Sequence, residues 1–340
     1  MRVGIDLGGT KTEAIAMDAG GEVLARVRLP TERGARGVVR TIGAALGAVL
    51  AEAGATEASS LGIGLPGLID PERGTVESAM NLDLHRLDLV RAVRAGVPGL
   101  AVGAALCIEN DVNATALGAW RLLSGGGVRG DAGAGGAGAG GAGAGGARGE
   151  TLAYLNLGTG VAAGIVRGGA IVRGDHGVAG EVGHIRIDPA GPVCVCGQRG
   201  CIESYAGGGA IALQWGRDDA YPVLAVFDAA DAGDPRAIAL RDGLIDGVVM
   251  ALQVLALAID PDTLVLGGGV AMLGGRLADP VRDGLRRVAA SSPFLASLTI
   301  AERLRLAPTD VPVAALGAGM LAVPASPAAD LVPRQEIPHG

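Results

Sequence analysis

A chain of 340 residues with 49% hydrophobic residues is long enough for two cores and a cleft between them, because a single core stops growing efficiently near this size. Its 28 basic against 35 acidic residues give a formal charge of -7, which excludes a dominant basic surface of the kind that neutralises nucleic-acid phosphates. Four cysteines, three of them between Cys194 and Cys201, do not make a disulfide framework at this size; they point to a metal and a reducing, cytoplasmic compartment.

The chain begins Met1-Arg2-Val3-Gly4-Ile5-Asp6, without the long apolar core and small-residue cleavage site of a secretory signal, so no export is expected. Residues 2 to 7 and 12 to 17 are short apolar runs separated by Gly8-Gly9-Thr10-Lys11, which predicts a β-hairpin with glycine conformations in its turn. A helix follows near 36 to 53, then a strand from Leu61 to Leu65 ended by Pro66-Gly67. A further strand leads to Cys107-Ile108, with Cys107 expected to be buried in it. Asp111 comes next and opens a predicted helix through Ala114 to Trp120. That places its carboxylate at the C-terminal edge of a strand, where α/β folds bind ligands, although the position also suits an ordinary helix N-cap. Strands alternating with helices imply an α/β layer structure.

Residues 125 to 149 are nearly all Gly and Ala, with little to bury, and are expected to form a flexible insertion. Beyond it, Leu155-Asn156-Leu157-Gly158-Thr159-Gly160 echoes Ile5-Asp6-Leu7-Gly8-Gly9-Thr10, which suggests a duplicated lobe. Two such hairpins facing one cleft would aim backbone N–H groups at the phosphates of a nucleotide. His184, Cys194, Cys196 and Cys201 supply an imidazole and three thiolates, the donor set of a closed, structural Zn²⁺ site. Such a site would pin Glu181 and Glu203, and carboxylates accept vicinal hydroxyls of the kind a sugar presents. The apolar stretch Val248 to Ile259 is too short to span a bilayer, contains Gln253 and is expected to be a buried helix, so no membrane partner is expected. A strand from Leu264 to Leu266 runs into Gly267-Gly268-Gly269, and the proline-rich stretch from Pro324 is expected to be a disordered tail. His85 and His176 are expected at the surface, with His339 in that tail.

Taken together, DLGGTK at 6 to 11, GIGLPG at 62 to 67, ENDVNATALG at 109 to 118, LGTG at 157 to 160, GEVGH at 180 to 184, CVCGQRGCIE at 194 to 203 and LVLGGG at 264 to 269 resemble the ROK family (repressors, open reading frames and kinases). The likeness runs from about residue 2 to residue 323, and the block from His184 to Glu203 is its most specific part. It implies a two-lobed ATPase fold of the actin and hexokinase type, built from duplicated ribonuclease-H-like lobes. The small lobe would comprise residues 1 to 111 completed by a C-terminal helix near 311 to 323, the large lobe 112 to 310 with the zinc and sugar sites, and 324 to 340 the tail. The resemblance further implies ATP-dependent phosphorylation of a hexose 6-hydroxyl, with Asp111 as the general base that takes the hydroxyl proton. Residues matching Asn81, Asn110, Glu181, His184 and Glu203 contact sugar hydroxyls in the family. Gly8, Gly9 and Thr10 match the first phosphate loop, Gly158, Thr159 and Gly160 the second, and Gly267, Gly268 and Gly269 the adenosine-side turn. Asp6 matches the acidic residue that faces Mg²⁺, usually through water, and Lys11 lies near phosphate.

Glucose is the first acceptor this resemblance suggests; N-acetylglucosamine, N-acetylmannosamine and fructose are alternatives, as is a non-catalytic, sugar-responsive regulator. Regulators of the family carry an added DNA-binding domain, for which a hairpin starting at residue 2 leaves no room. A homodimer or homotetramer is implied as well. Two departures stand out. The second phosphate loop continues Val161-Ala162-Ala163-Gly164 where relatives usually have more glycine, and Leu82-Asp83-Leu84-His85 lacks the aromatic residue often found in glucose-specific relatives.

Overall fold

The computed structural model describes residues 1–123 and 151–322; the expectations for the insertion at 125 to 149 and for the tail from Pro324 lie outside the described residues. The predicted hairpin is present as β1 (Arg2–Leu7) and β2 (Lys11–Met17), and β3 (Val23–Pro30) continues the antiparallel ribbon. Val3, Ile5 and Leu7 recur at period two and are wholly buried, the spacing a strand needs to present one face to a core. Helix α1 (Gly34–Glu52) then buries Val38, Ile42, Ala45, Leu46 and Val49 at three- and four-residue spacing against that sheet. Strand β4 (Ala58–Leu65) runs parallel to β1. Strands β5 (Leu68–Asp70), β6 (Thr75–Ala79) and β7 (Leu84–Asp88) make a small antiparallel sheet of their own, which the sequence reading did not anticipate. Helix α2 (Leu89–Gly96) is capped by Asp88, which accepts the Arg91 N–H at 2.9 Å. It leads to β8 (Leu100–Asn110), parallel to β4, and α3 (Asp111–Leu123) follows without a break.

The second half repeats this plan. Strands β9 (Thr151–Leu157), β10 (Val161–Arg167) and β11 (Ala170–Ile171) form an antiparallel ribbon. A loop and the helices α4 (Glu203–Ala206), α5 (Gly208–Trp215), α6 (Pro222–Asp231) and α7 (Pro235–Ile259) separate it from β12 (Thr263–Gly267), which is parallel to β9. Helices α8 (Gly275–Ala290), α9 (Pro293–Ser297) and α10 (Ile300–Arg303) precede β13 (Leu304–Leu306), and α11 (Val313–Met320) closes the described chain. The strand orders are β3-β2-β1-β4-β8 and β11-β10-β9-β12-β13, one arrangement used twice. The faint echo between residues 5 to 10 and 155 to 160 is therefore the trace of a duplicated fold, each copy ending its first strand in a glycine turn.

Each sheet has its own hydrophobic cluster, one including Ile5, Ile63 and Leu46, the other Leu155, Leu252 and Leu266. Helix α11 returns to the first sheet: Gly4 and Gly62 lie so close to the carbonyls of Ala315 and Ala318 that a Cβ at either would collide with the helix backbone. Helix α7 is longer than the apolar run that suggested it, and α1 and α7 have the length and composition to cross a bilayer. Both bury one face in a core, however, and Leu244, Val248, Leu252 and Leu255 of α7 are almost wholly enclosed. His85 and His176 are exposed, as expected, whereas Cys107 is only partly buried rather than enclosed in its strand.

Candidate active site

Strands β1, β4 and β8 are parallel neighbours, and their register sets Asp6 beside Gly64, Gly64 beside Glu109 and Leu65 beside Asn110. Their C-terminal ends thus gather Asp6, Gly64, Asn110 and Asp111 on one edge, where an α/β sheet opens to ligands. A Cβ on Gly64 would lie 3.8 Å from the Asp111 Cα, so Gly64 lets α3 begin close to the neighbouring strand. The capping role open to Asp111 falls largely to Asn110, whose Oδ1 accepts the N–H groups of Val112 at 2.9 Å and Asn113 at 3.3 Å. Asp111 Oδ1 also accepts the Val112 N–H at 2.9 Å.

Burial pushes the Asp111 carboxyl above the ordinary aspartate range. Asp6 is pushed up to about 7, first by burial and then by the charges of Asp111 and Glu13, with Lys11 pulling the other way. Two neighbouring acids that both resist ionisation mark a place short of positive charge, which fits a hydrated Mg²⁺ held by Asp6. A test follows from the sign of the shift. Between about pH 4 and pH 7 the folded chain holds a proton on Asp6 that the unfolded chain has released, so this contribution to stability is full below pH 4 and lost by pH 7. In the absence of nucleotide and Mg²⁺, Asp6→Asn is expected to match wild type near pH 4 and to exceed it by a few kcal/mol, about 4 at most, above pH 7. Melting curves of the two proteins that stay parallel across that range would refute the assignment.

The two turns expected to hold phosphate are each closed by a backbone hydrogen bond. Gly8 N–H donates to Lys11 O at 3.1 Å, and Gly158 N–H donates to Gly160 O at 3.0 Å. The second turn is buttressed by the start of α5, where Gly208 N–H donates to Gly158 O and Gly209 N–H to Thr159 O, both at 2.9 Å. Side chains at 207 or 209 would stand 3.0 or 3.1 Å from Thr159 O, so this close crossing favours glycine. Beyond the turn lies a largely apolar cavity of about 660 Å³, walled by Thr159, Gly269, Val270, Tyr221, Leu224 and Met272. Its size and lining suit a purine base and ribose. The sequence reading placed Gly158, Thr159 and Gly269 here but missed Gly207, Gly208 and Gly209, whose run was a readable signal, and the wall around Tyr221, which was not. Gly267 and Gly268 stand behind this cavity, Gly267 against the Tyr154 ring and Gly268 2.7 Å, by its Cβ direction, from Asn156 Oδ1. Asp6, Gly8, Gly9, Thr10 and Lys11 are on the edge of the first sheet instead, and Gly9 leaves only 3.1 Å between its Cβ direction and the Asn81 Cβ.

A second cavity, of about 230 Å³, is lined by Gly67, Glu109, Asn110, Val112, Arg173 and Glu181 among others. Of the expected sugar contacts it brings together Asn110 and Glu181; Asn81 is exposed beside the first turn, and His184 and Glu203 stand outside its walls. Asn110 is oriented by donating from Nδ2 to Gly67 O at 3.2 Å. Glu203 Oε2 accepts the Val161 N–H at 2.9 Å, which ties it to the strand that leaves the second turn.

The expected zinc ligands do converge. The ligand atoms of His184, Cys194, Cys196 and Cys201 all lie within 4.8 Å of one another. Cys196 Sγ and Cys201 Sγ are 3.7 Å apart, and Cys194 Sγ is 3.8 Å from His184 Nδ1. A tetrahedral site with Zn–S bonds of about 2.3 Å has edges of roughly 3.8 Å, which these two contacts match, and three thiols with one imidazole are a donor set Zn²⁺ takes. Directing Nδ1 to the thiols leaves His184 Nε2 facing Glu181 Oε2 at 3.9 Å, which joins the metal position to the sugar-side carboxylate.

Among known proteins, the ROK family model matches residues 2–126 and 139–323. A glucokinase of Streptomyces coelicolor is 31% identical over 307 residues, covering 84% of this chain and 87% of that one. An N-acetylmannosamine kinase of Yersinia pseudotuberculosis is 28% identical over 282 residues, 80% of this chain and 84% of its own length. The crystal structure of a ROK family glucokinase from Streptomyces griseus in complex with glucose and AMPPNP superposes with a TM-score of 0.67 at 30% identity, covering 94% of this chain and 98% of that one. The duplicated sheets are accordingly those of the two-lobed, actin-type ATPase fold expected from the sequence.

Proposed function

Because the chain belongs to the ROK family, we propose that it is an ATP-dependent sugar kinase whose preferred acceptor is glucose, phosphorylated at the 6-hydroxyl. The observation that carries this reading is the Asp111 carboxylate, which starts a helix where three parallel strands end, between flanking residues that line the smaller cavity. In this reading residues 1 to 111 with α11 form the small lobe and 112 to 310 the large one.

The hexose occupies the 230 Å³ cavity and offers ring hydroxyls to Asn110 and Glu181, with His184 and Glu203 supporting the loop behind them. Its 6-hydroxyl is the primary alcohol, free of the ring and therefore the group that reaches towards Asp111. As that oxygen bonds to the γ-phosphorus of ATP, the bond from phosphorus to the β–γ bridging oxygen breaks, Asp111 takes the hydroxyl proton, and ADP leaves. Burial raises the Asp111 pKa, which makes the ionised carboxylate a stronger base than an exposed aspartate. Backbone amides of residues 8 to 10 and 158 to 160 hold the phosphates, and the base enters the apolar cavity beside Tyr221. Asp6 is the residue that would hold Mg²⁺, which when bound would neutralise charge on the β- and γ-phosphate oxygens.

The likeness to an N-acetylmannosamine kinase supports a second reading with the same chemistry and a different acceptor. ADP release measured with MgATP across glucose, N-acetylglucosamine, N-acetylmannosamine and fructose decides between them. Glucose is expected to give the highest kcat/KM; a higher value for another sugar overturns the acceptor, and no turnover with any of them overturns the kinase.

A further inference from the structure

We propose that Glu109 and Arg173 form a latch across the cleft that positions the Asn110–Asp111 segment against the loop bearing Glu181. The proposal rests on the kinase reading above and adds two positioning residues to it. Glu109 is the penultimate residue of β8 and only 2% exposed. Its Oε1 accepts the Asn110 N–H at 3.0 Å and the Asn113 Nδ2–H at 3.1 Å, so one carboxylate oxygen orients the first turn of α3 from which Asp111 projects. Its Oε2 receives Arg173 Nε at 2.7 Å and Nη2 at 2.5 Å, so two guanidinium nitrogens converge on one carboxylate oxygen and the plane of the guanidinium is fixed as well as its distance.

Arg173 belongs to the other sheet's surroundings, two residues beyond β11, and 64 residues separate it from its partner. Its own carbonyl accepts the Ala179 N–H at 3.0 Å, two residues before Glu181, and Gly180 O accepts the Ala163 N–H at 2.7 Å on β10. A continuous set of bonds therefore runs from the start of α3, through Glu109 and Arg173, to the backbone that presents Glu181. Glu109 is enclosed while the Arg173 side chain is 42% exposed, and an ion pair that takes even one carboxylate out of water is a poor way merely to hold two elements together, because apolar side chains do so at lower desolvation cost. At this position it does what apolar contact does not: it sets the angle of two backbones that must meet around one sugar.

The test is steady-state kinetics with the best hexose on Arg173→Met, Arg173→Lys, Glu109→Gln and the double variant Glu109→Gln/Arg173→Met, each with a melting curve. Arg173→Met is expected to lower kcat at least about tenfold and to raise the sugar KM, with the ATP KM within about twofold of wild type. Lys should restore part of the loss, since it supplies the charge without the fork. Arg173→Met leaves Glu109 buried without its partner and could fail to fold; the double variant removes both charges and is expected to melt like wild type while kcat stays low. A double variant with kcat within about twofold of wild type, or an ATP KM that rises as much as the sugar KM, would overturn the latch while leaving the kinase in place. A wild type inactive on every hexose would overturn both.

Discussion

Asp111→Asn is expected to lower kcat for hexose phosphorylation by about a thousandfold, the middle of the range a positioned general base supplies, and to leave the fold intact. Asparagine keeps an oxygen able to accept the Val112 N–H, and Asn110 keeps the helix cap, so the substitution removes the base and little else. Stability should not fall, because the change also removes a carboxylate that burial resists and whose charge raises Asp6. The pH dependence carries the same signature. A base must be ionised to act, so wild-type kcat should be full at high pH and lost as pH falls through a pKa above the usual aspartate range. Retention of kcat within tenfold in the variant, with that acid limb unchanged, would show that the proton goes elsewhere.

What the sequence made legible in this site is what short stretches of chain determine. The β1–β2 turn, the strand-to-helix junction at Asn110–Asp111 and the spacing of Cys194, Cys196 and Cys201 each lie within about ten residues, where turn chemistry and ligand spacing act directly. The same locality left two roles open for Asp111. Its Oδ1 does accept the Val112 N–H, as a cap would, but Asn110 one place earlier reaches both Val112 and Asn113 and takes most of that role. The features that went unread depend on distant segments. Glu109 meeting Arg173, Gly208 meeting Gly158, and Tyr221 and Met272 closing one cavity are consequences of how two sheets and their helices assemble. The three-stranded sheet escaped for a different reason: β5 has three residues and β6 and β7 five each, too few for periodicity to declare itself.

Loss of the cysteine cluster should have the next largest effect. The purified protein is expected to contain about one zinc per chain, and Cys201→Ser to lose it, with kcat falling at least about a hundredfold and the melting temperature dropping. Cys201 is wholly buried and stands between two carboxylate-bearing segments: Ile202 N–H donates to Ile185 O at 3.0 Å, next to His184, and Glu203 begins α4. Between them, residues 185 to 202 contain little regular structure, only the isolated pairings of Arg186 with Cys201 and Val193 with Arg199 and a few backbone bonds such as Ile187 N–H to Gly200 O at 2.8 Å. Burial raises the Cys194 and Cys201 thiols, whereas hydrogen bonds with Gln198 lower Cys196 to about 6, so without a cation one thiolate stands among neutral donors and nothing draws the four side chains to one point. Glu181, facing His184 Nε2, and Glu203, facing Val161, would drift together, which couples a structural metal to the sugar KM without any chemical step at the metal. Cys196 is exposed, so Cys196→Ser should weaken zinc binding with a smaller loss of melting temperature than Cys201→Ser. Chelation followed by metal analysis separates the alternatives: activity that falls with zinc content and returns on its addition supports the pinned loop, and a stripped protein with full kcat and unaltered sugar KM refutes it.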